Sequence, residues 1–551
     1  MTLTETRPAP AAGEPTEELV PAAVLPESPF TTSDHKRIGR YYIAAALLFV
    51  LVSTVVAVVL EISLTGTGTS TLEYDRLFSL HSTSAALLFL PLLFLGLATY
   101  LVPLQVGARR LAFPRLQALA FWGTLFGGAL LQLSYLFGKP NGWGIAYPTA
   151  LPFAKGGASR ATDLWVASMV LITVCMALAA ANLLVTVLKL RAPGMTMARV
   201  PVFTWSVFAV SAGVLLTAPV FAGGLLVLYL DQHFGAGVFN NANGGLVWQR
   251  MLWLYGRPDV YLVAVPALGA LTDIVATHAR RALPSLVAAK GLVFATLVLA
   301  FGVLAADRTV EHAVLQPTPT VLTALIAVPI GLLVLMWLGT IRPSSLHLHI
   351  SLAYVFGFVA LLVAGGVNAV IAPSQHLQGG ANGAGSAWTV GQVHAVMFGA
   401  PTLAAFAAIY HWAPKIYGMA LNALLGALQF LCLLAGFVTM AAGQWIAGYD
   451  GAPWHVGSYT GPDASNWANY AKVSSAGGLL VALGLLLFCG NAAISWARAR
   501  TVPQPSRPAN PYGGTTLEWG TSSPPPEDNF DAIPEVRSAA PLAHLAEEAA
   551  G

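Results

Sequence analysis

Apolar runs long enough to cross a bilayer recur twelve times along this chain, at residues 41–62, 80–103, 118–137, 164–188, 203–229, 246–274, 288–306, 320–339, 350–372, 387–412, 421–446 and 477–497. A bilayer core about 30 Å thick needs about 20 such residues in one helix, and inside hydrocarbon a helix satisfies every backbone N–H and C=O within its own segment. The runs therefore predict an all-α membrane protein of twelve transmembrane helices. Charged residues make up 9% of the 551 positions and hydrophobic ones 56%. That surface cannot solvate several soluble cores, so a cytosolic multidomain enzyme is excluded and lipid becomes the main solvent.

Loop charge orients the bundle. With the amino terminus inside, 17 Lys and Arg fall in cytoplasmic segments and 6 in outer loops, which places both termini in the cytoplasm of a multi-pass cell-membrane protein. Residues 1–34 are Pro-, Ala- and Glu-rich without periodicity and read as a disordered cytoplasmic tail; residues 35–500 form the transmembrane domain; 501–551 form a Pro-rich cytoplasmic tail. Net charge is +3 without a basic run, so nucleic acid is not an expected partner. Cys175, Cys432 and Cys489 stand in apolar runs at no metal-binding spacing and read as small buried hydrophobes.

Several runs of residues, collinear along the chain, resemble subunit I of the haem-copper oxidases, the catalytic subunit of cytochrome c oxidase. They are Ser33-Asp34-His35-Lys36-Arg37-Ile38-Gly39, Tyr100-Leu101-Val102-Pro103-Leu104, Ala112-Phe113-Pro114-Arg115, Trp248-Gln249, Pro258, Val260-Tyr261 and Ile326-Ala327-Val328-Pro329, then Leu517-Glu518-Trp519 and Ser522-Ser523-Pro524-Pro525-Pro526-Glu527 in the tail. The resemblance implies a twelve-helix bundle of the respiratory chain, with subunit II- or III-like partners and a cytochrome c-type electron donor, in a bacterial-type plasma membrane.

It also implies roles for single residues. His81 and His394 resemble the two axial ligands of the family's low-spin haem, and two imidazoles leave haem iron no open position, which suits electron transfer. The Arg pair that holds haem propionates in the family is replaced here by Trp454 and His455.

The dioxygen site departs from the family pattern. Where the family has its copper-binding histidines, this chain has Arg257, Leu304 and Ala305, and where it has the ligand of the second haem, Gln392. A guanidinium stays protonated and offers no lone pair to a metal. Residues two apart on a helix point about 200° apart, so the loss at Gln392 spares His394. The entry acid of one proton route aligns with Arg110 and the lysine of another with Leu333. Asp259 and Tyr261 keep the family's residue class without the partners that give them a role. His233, His312 and His376 fall in outer loops at no metal-ligand spacing.

These readings predict one haem, of type a or b, no copper, no assigned catalytic residue, and electron transfer without dioxygen reduction. The alternatives are a haem-free structural or assembly subunit of a redox complex, and a functional cytochrome c oxidase subunit I in aerobic respiration.

Overall fold

The computed structural model describes residues 32–67, 71–138, 155–241, 259–309, 318–371, 386–453, 456–501, 508–533 and 535–543, with isolated positions 30, 244, 247, 248 and 251. Among them the chain is all helix apart from loops and a single bridge between Ser386 and Pro453. In chain order the helices are α1 His35–Ile62, α2 Thr71–Ser84, α3 Leu90–Val106, α4 Pro114–Ser134, α5 Arg160–Lys189, α6 Val202–Phe234, α7 Val265–Ala279, α8 Leu286–Thr309, α9 Thr318–Thr340, α10 Ile350–Ile371, α11 Ala387–Gln392, α12 Ala400–Tyr417, α13 Ala423–Tyr449 and α14 Ala464–Ala499. The described parts of the apolar runs lie on this helical path apart from Leu421 and Asn422, and the run 246–274 is described as a continuous stretch only from Asp259 onward. Ten of the described helices are long and apolar enough to cross a membrane, and Leu286–Phe301 and Leu325–Thr340 are shorter apolar helices.

Local signals set the helix ends. Asp34 caps α1 by accepting from Lys36 N at 2.9 Å, and Asn422 caps α13 by accepting from Leu425 N at 3.0 Å, each satisfying an otherwise unpaired first-turn donor. Gly107 and Gly418 end α3 and α12 in the left-handed conformation, which glycine adopts without steric penalty.

Ser63–Thr67 closes α1 as a π-helical turn, and three further π stretches, the first to third in chain order, lie inside helices: Ala85–Phe89 before α3, Asp259–Ala264 before α7 and Val393–Gly399 before α12. In each of these three a proline stands two residues after the stretch, at Pro91, Pro266 and Pro401. Proline offers no N–H and its ring crowds the carbonyl one turn back, so the ladder shifts to the wider π spacing there.

The span Arg76–Val106 is central, with 89% of its apolar window buried, whereas Ala464–Ala499 is peripheral at 28%. Beside the central helix, α1 crosses α3 backbone to backbone. A Cβ on Gly39 would stand 2.8 Å from Gly96 O, and one on Gly96 2.9 Å from Gly39 O. Small residues at a crossing let membrane helices approach this closely. Only Cys175 is buried; Cys432 is intermediate and Cys489 is exposed. The expectation that all three are interior fails because α13 and α14 turn much of their apolar surface outward, where lipid solvates it.

The tail after α14 folds onto the end of the bundle that carries the start of α1. Leu517, Glu518, Trp519, Asn529, Phe530 and Val536 are buried there. Glu518 accepts from Gln105 Nε2 at 3.0 Å and from Trp412 Nε1 at 3.4 Å. Asn529 donates to Ala108 O at 2.8 Å, and its Oδ1 receives Lys36 Nζ at 3.2 Å. Lys415 Nζ donates to Thr521 O at 2.7 Å. The ammonium groups of two buried lysines are thus met by carbonyl oxygens of the tail, which offsets the loss of water around them.

Candidate functional site

His81 lies on α2, one turn before the first π stretch, and His394 lies inside the third. Their ring centres are 6.3 Å apart and their planes are inclined by 40°. Both rings are held from behind. His81 Nδ1 lies 3.0 Å from Ser53 O, on α1, so that nitrogen is the N–H donor. His394 Nδ1 donates to Gln444 Oε1, on α13, at 2.8 Å. With both Nδ1 atoms protonated, each Nε2 carries the free lone pair, the tautomer a metal-ligating imidazole needs. Gln444 Nε2 in turn donates to Glu61 Oε1 at 2.7 Å, which fixes the orientation of the amide.

The two histidines open on a cleft of about 1320 Å³, counting its open mouth, lined mostly by apolar side chains such as Val50, Phe78, Phe398, Phe437 and Met440. The site fits a haem in two respects. A metal bonded to both Nε2 atoms at about 2.0–2.1 Å holds the ring centres about 6.3 Å apart, the separation found between His81 and His394. The apolar lining suits the faces of a macrocycle. For carboxylate side arms the described lining residues contain no Lys or Arg, and Trp454 and His455 lie outside the described residues.

The other positions singled out in the sequence are scattered. Gln392 turns away from the cleft and donates Nε2 to Gly365 O on α10 at 2.9 Å, while its Oε1 is buried without a partner among the described residues. Leu333 is fully buried on α9. Arg110 is exposed in the turn between α3 and α4. Leu304 and Ala305 lie on α8, and Asp259 and Tyr261 at the start of the second π stretch, with their side chains outside the described residues. Arg257, His312 and His376 lie outside them altogether. His233 ends α6 and meets Asp163 Oδ1 at 2.7 Å, an ordinary surface pairing.

Three members of the site escaped the reading of the sequence: Ser53, Gln444 and Glu61. For Glu61 a signal existed, since it is an acid inside the otherwise uncharged run 41–62, and an ionisable residue within a membrane segment is a functional candidate by default. Nothing local marks Ser53, which acts through its backbone carbonyl.

Residues 37–480 match the family model described as cytochrome C and quinol oxidase polypeptide I. A cytochrome c oxidase subunit 1-beta homologue from Streptomyces coelicolor is 37% identical over 524 residues, covering 94% of this chain and 90% of that protein. Cytochrome c oxidase subunit 1 of Corynebacterium glutamicum is 33% identical over 527 residues, covering 94% and 88%. Among solved structures, a chain from a haem-copper terminal oxidase dimer superposes with a TM-score of 0.66 at 16% identity, covering 85% of this chain and 84% of that one. At that identity the likeness speaks for the fold.

Proposed function

The chain belongs to the cytochrome c and quinol oxidase polypeptide I family, and from that premise we propose that it holds one low-spin haem between His81 and His394 and carries electrons without reducing dioxygen itself. The observation that carries the reading is the pairing of the two imidazoles, 6.3 Å apart with each Nδ1 engaged from behind. Haem bound there supplies a one-electron redox couple with no open coordination position. Ser53 and Gln444 orient the two rings, and the apolar cleft limits water around them.

Loss of the dioxygen site is the second half of the proposal. It rests on Arg257, Leu304, Ala305 and Gln392, four positions at which this chain departs from the family's ligands. No side chain of these types offers the copper or the second iron a suitable nitrogen. The proton-route positions Arg110 and Leu333 depart in the same way, since a cation does not collect protons and an alkyl chain does not relay them. Family members work with other oxidase subunits in a membrane complex. We place this chain beside subunit II- or III-like proteins in a bacterial plasma membrane, with both tails cytoplasmic and a cytochrome c-type protein as donor.

The test is a reduced-minus-oxidised spectrum and metal analysis of the purified protein. One haem per chain with a six-coordinate low-spin spectrum is expected, lost in His81→Ala and in His394→Ala, with no copper and little carbon monoxide binding. Absence of any haem would leave a structural or assembly subunit. Stoichiometric copper with a carbon monoxide-sensitive haem would restore a functional oxidase.

A further inference from the structure

Glu61 is the sole acidic side chain among the described residues that line the cleft, and none of those residues is Lys or Arg. It stands in the last turn of α1, half-buried, and bonds Gln444 rather than either histidine. The titratable groups facing the cleft around it are Tyr74 and His81 from α2, His394 from the third π stretch, Tyr459 from the loop before α14 and Tyr470 from α14. None of these is a fixed cation. Among the described residues such a carboxylate has no fixed counter-charge, and its protonation state answers to whatever charge the cleft holds.

Gln444 gives it a route of action. The amide accepts from His394 Nδ1 with its oxygen and donates to Glu61 with its nitrogen, at 2.8 and 2.7 Å. An ionised Glu61 polarises that amide, makes its oxygen a stronger acceptor and so makes the His394 ring more basic. A more basic axial ligand stabilises oxidised iron. Reduction removes one positive charge from the cleft and weakens the hold on the carboxylate.

Building on the haem reading above, we propose that Glu61 is a positioning residue that couples electron entry at the His81–His394 site to the uptake of one proton, acting on His394 through Gln444. One electron arrives from an external one-electron donor, one proton arrives from water at the mouth of the cleft, and the proton adds to the Glu61 carboxylate. No other bond forms or breaks.

The test is a spectroelectrochemical titration of the purified full chain at a series of pH values. In the wild type the midpoint potential falls as pH rises, with a slope approaching 59 mV for each tenfold change in proton activity. In Glu61→Gln, which keeps an oxygen to accept from Gln444, the slope disappears; in Glu61→Asp the slope returns. A flat wild-type potential, or a slope unchanged in Glu61→Gln, overturns the coupling. Should Glu61→Gln fail to accumulate, redox-difference infrared spectra of the wild type decide. A carboxylic acid C=O band gained on reduction supports the coupling and its absence overturns it. A wild type without haem overturns the haem reading itself, whereas a haem with a pH-independent potential overturns only the role of Glu61.

Discussion

His394 Nδ1 and Gln444 Oε1 are 2.8 Å apart, and this one bond between the third π stretch and α13 settles which nitrogen of the ring faces the cleft. His81 is held differently. Its Nδ1 meets the backbone carbonyl of Ser53 at 3.0 Å, with the Ser53 hydroxyl also at 3.0 Å.

That difference predicts unequal responses to mutation. Gln444→Leu removes the acceptor of His394, and loss of such an orienting partner typically weakens metal binding by about 10–100-fold. Ser53→Ala leaves the backbone carbonyl in place and should weaken it far less. Haem retention during titration with a competing apo-haem protein measures both.

Glu518→Ala leaves Gln105 Nε2 and Trp412 Nε1 without their buried acceptor. Stranded donors of this kind cost about 1–3 kcal/mol each. A lowered thermal midpoint in detergent, with the helical content unchanged, is the expected result. An unchanged midpoint would mean that water replaces the carboxylate.

The docked tail should also respond to acid. His349 stands in the loop between α9 and α10, with Nε2 3.2 Å from the Tyr512 hydroxyl and its ring stacked 4.8 Å from His278. Burial, and then the neighbouring His347, lower its pKa to about 4. A lowered pKa means that the folded state prefers neutral His349. Its contribution is therefore complete above the ordinary value of about 6.5 and is lost as pH falls toward about 4. Limited proteolysis of the tail should accelerate across that interval, and His349→Phe should flatten the dependence.

Gly96→Leu puts a branched side chain where a Cβ alone would stand 2.9 Å from Gly39 O and from the side chains of Ile43 and Tyr42. Backbone on one side and the stems of two buried side chains on the other leave little room to yield. The variant should fail to accumulate in the membrane, as immunoblotting would show, whereas Gly331→Leu, beside open space on α9, should accumulate normally.

The all-helical membrane fold was legible because hydrocarbon imposes a rule on the sequence itself: a spanning segment must be apolar over its whole length, and its backbone must bond within the segment. The resemblance singled out His81 and His394, which the structure brings to 6.3 Å between ring centres, whereas the π stretches beside them were not foreseen in the sequence although Pro91, Pro266 and Pro401 stand after them. What surrounds the histidines was decided only by the tertiary structure. Ser53, Gln444 and Glu61 come from α1 and α13, with Gln444 lying 383 positions from Glu61, and a contact at that separation leaves no local pattern. The tail's Leu517, Glu518 and Trp519 were visible as a motif, but not that they close the end of the bundle, because their partners Gln105 and Trp412 come from two distant helices. Apolar character and helix breaking are properties of neighbours along the chain, whereas the orientation of a ring depends on which helices packing brings behind it.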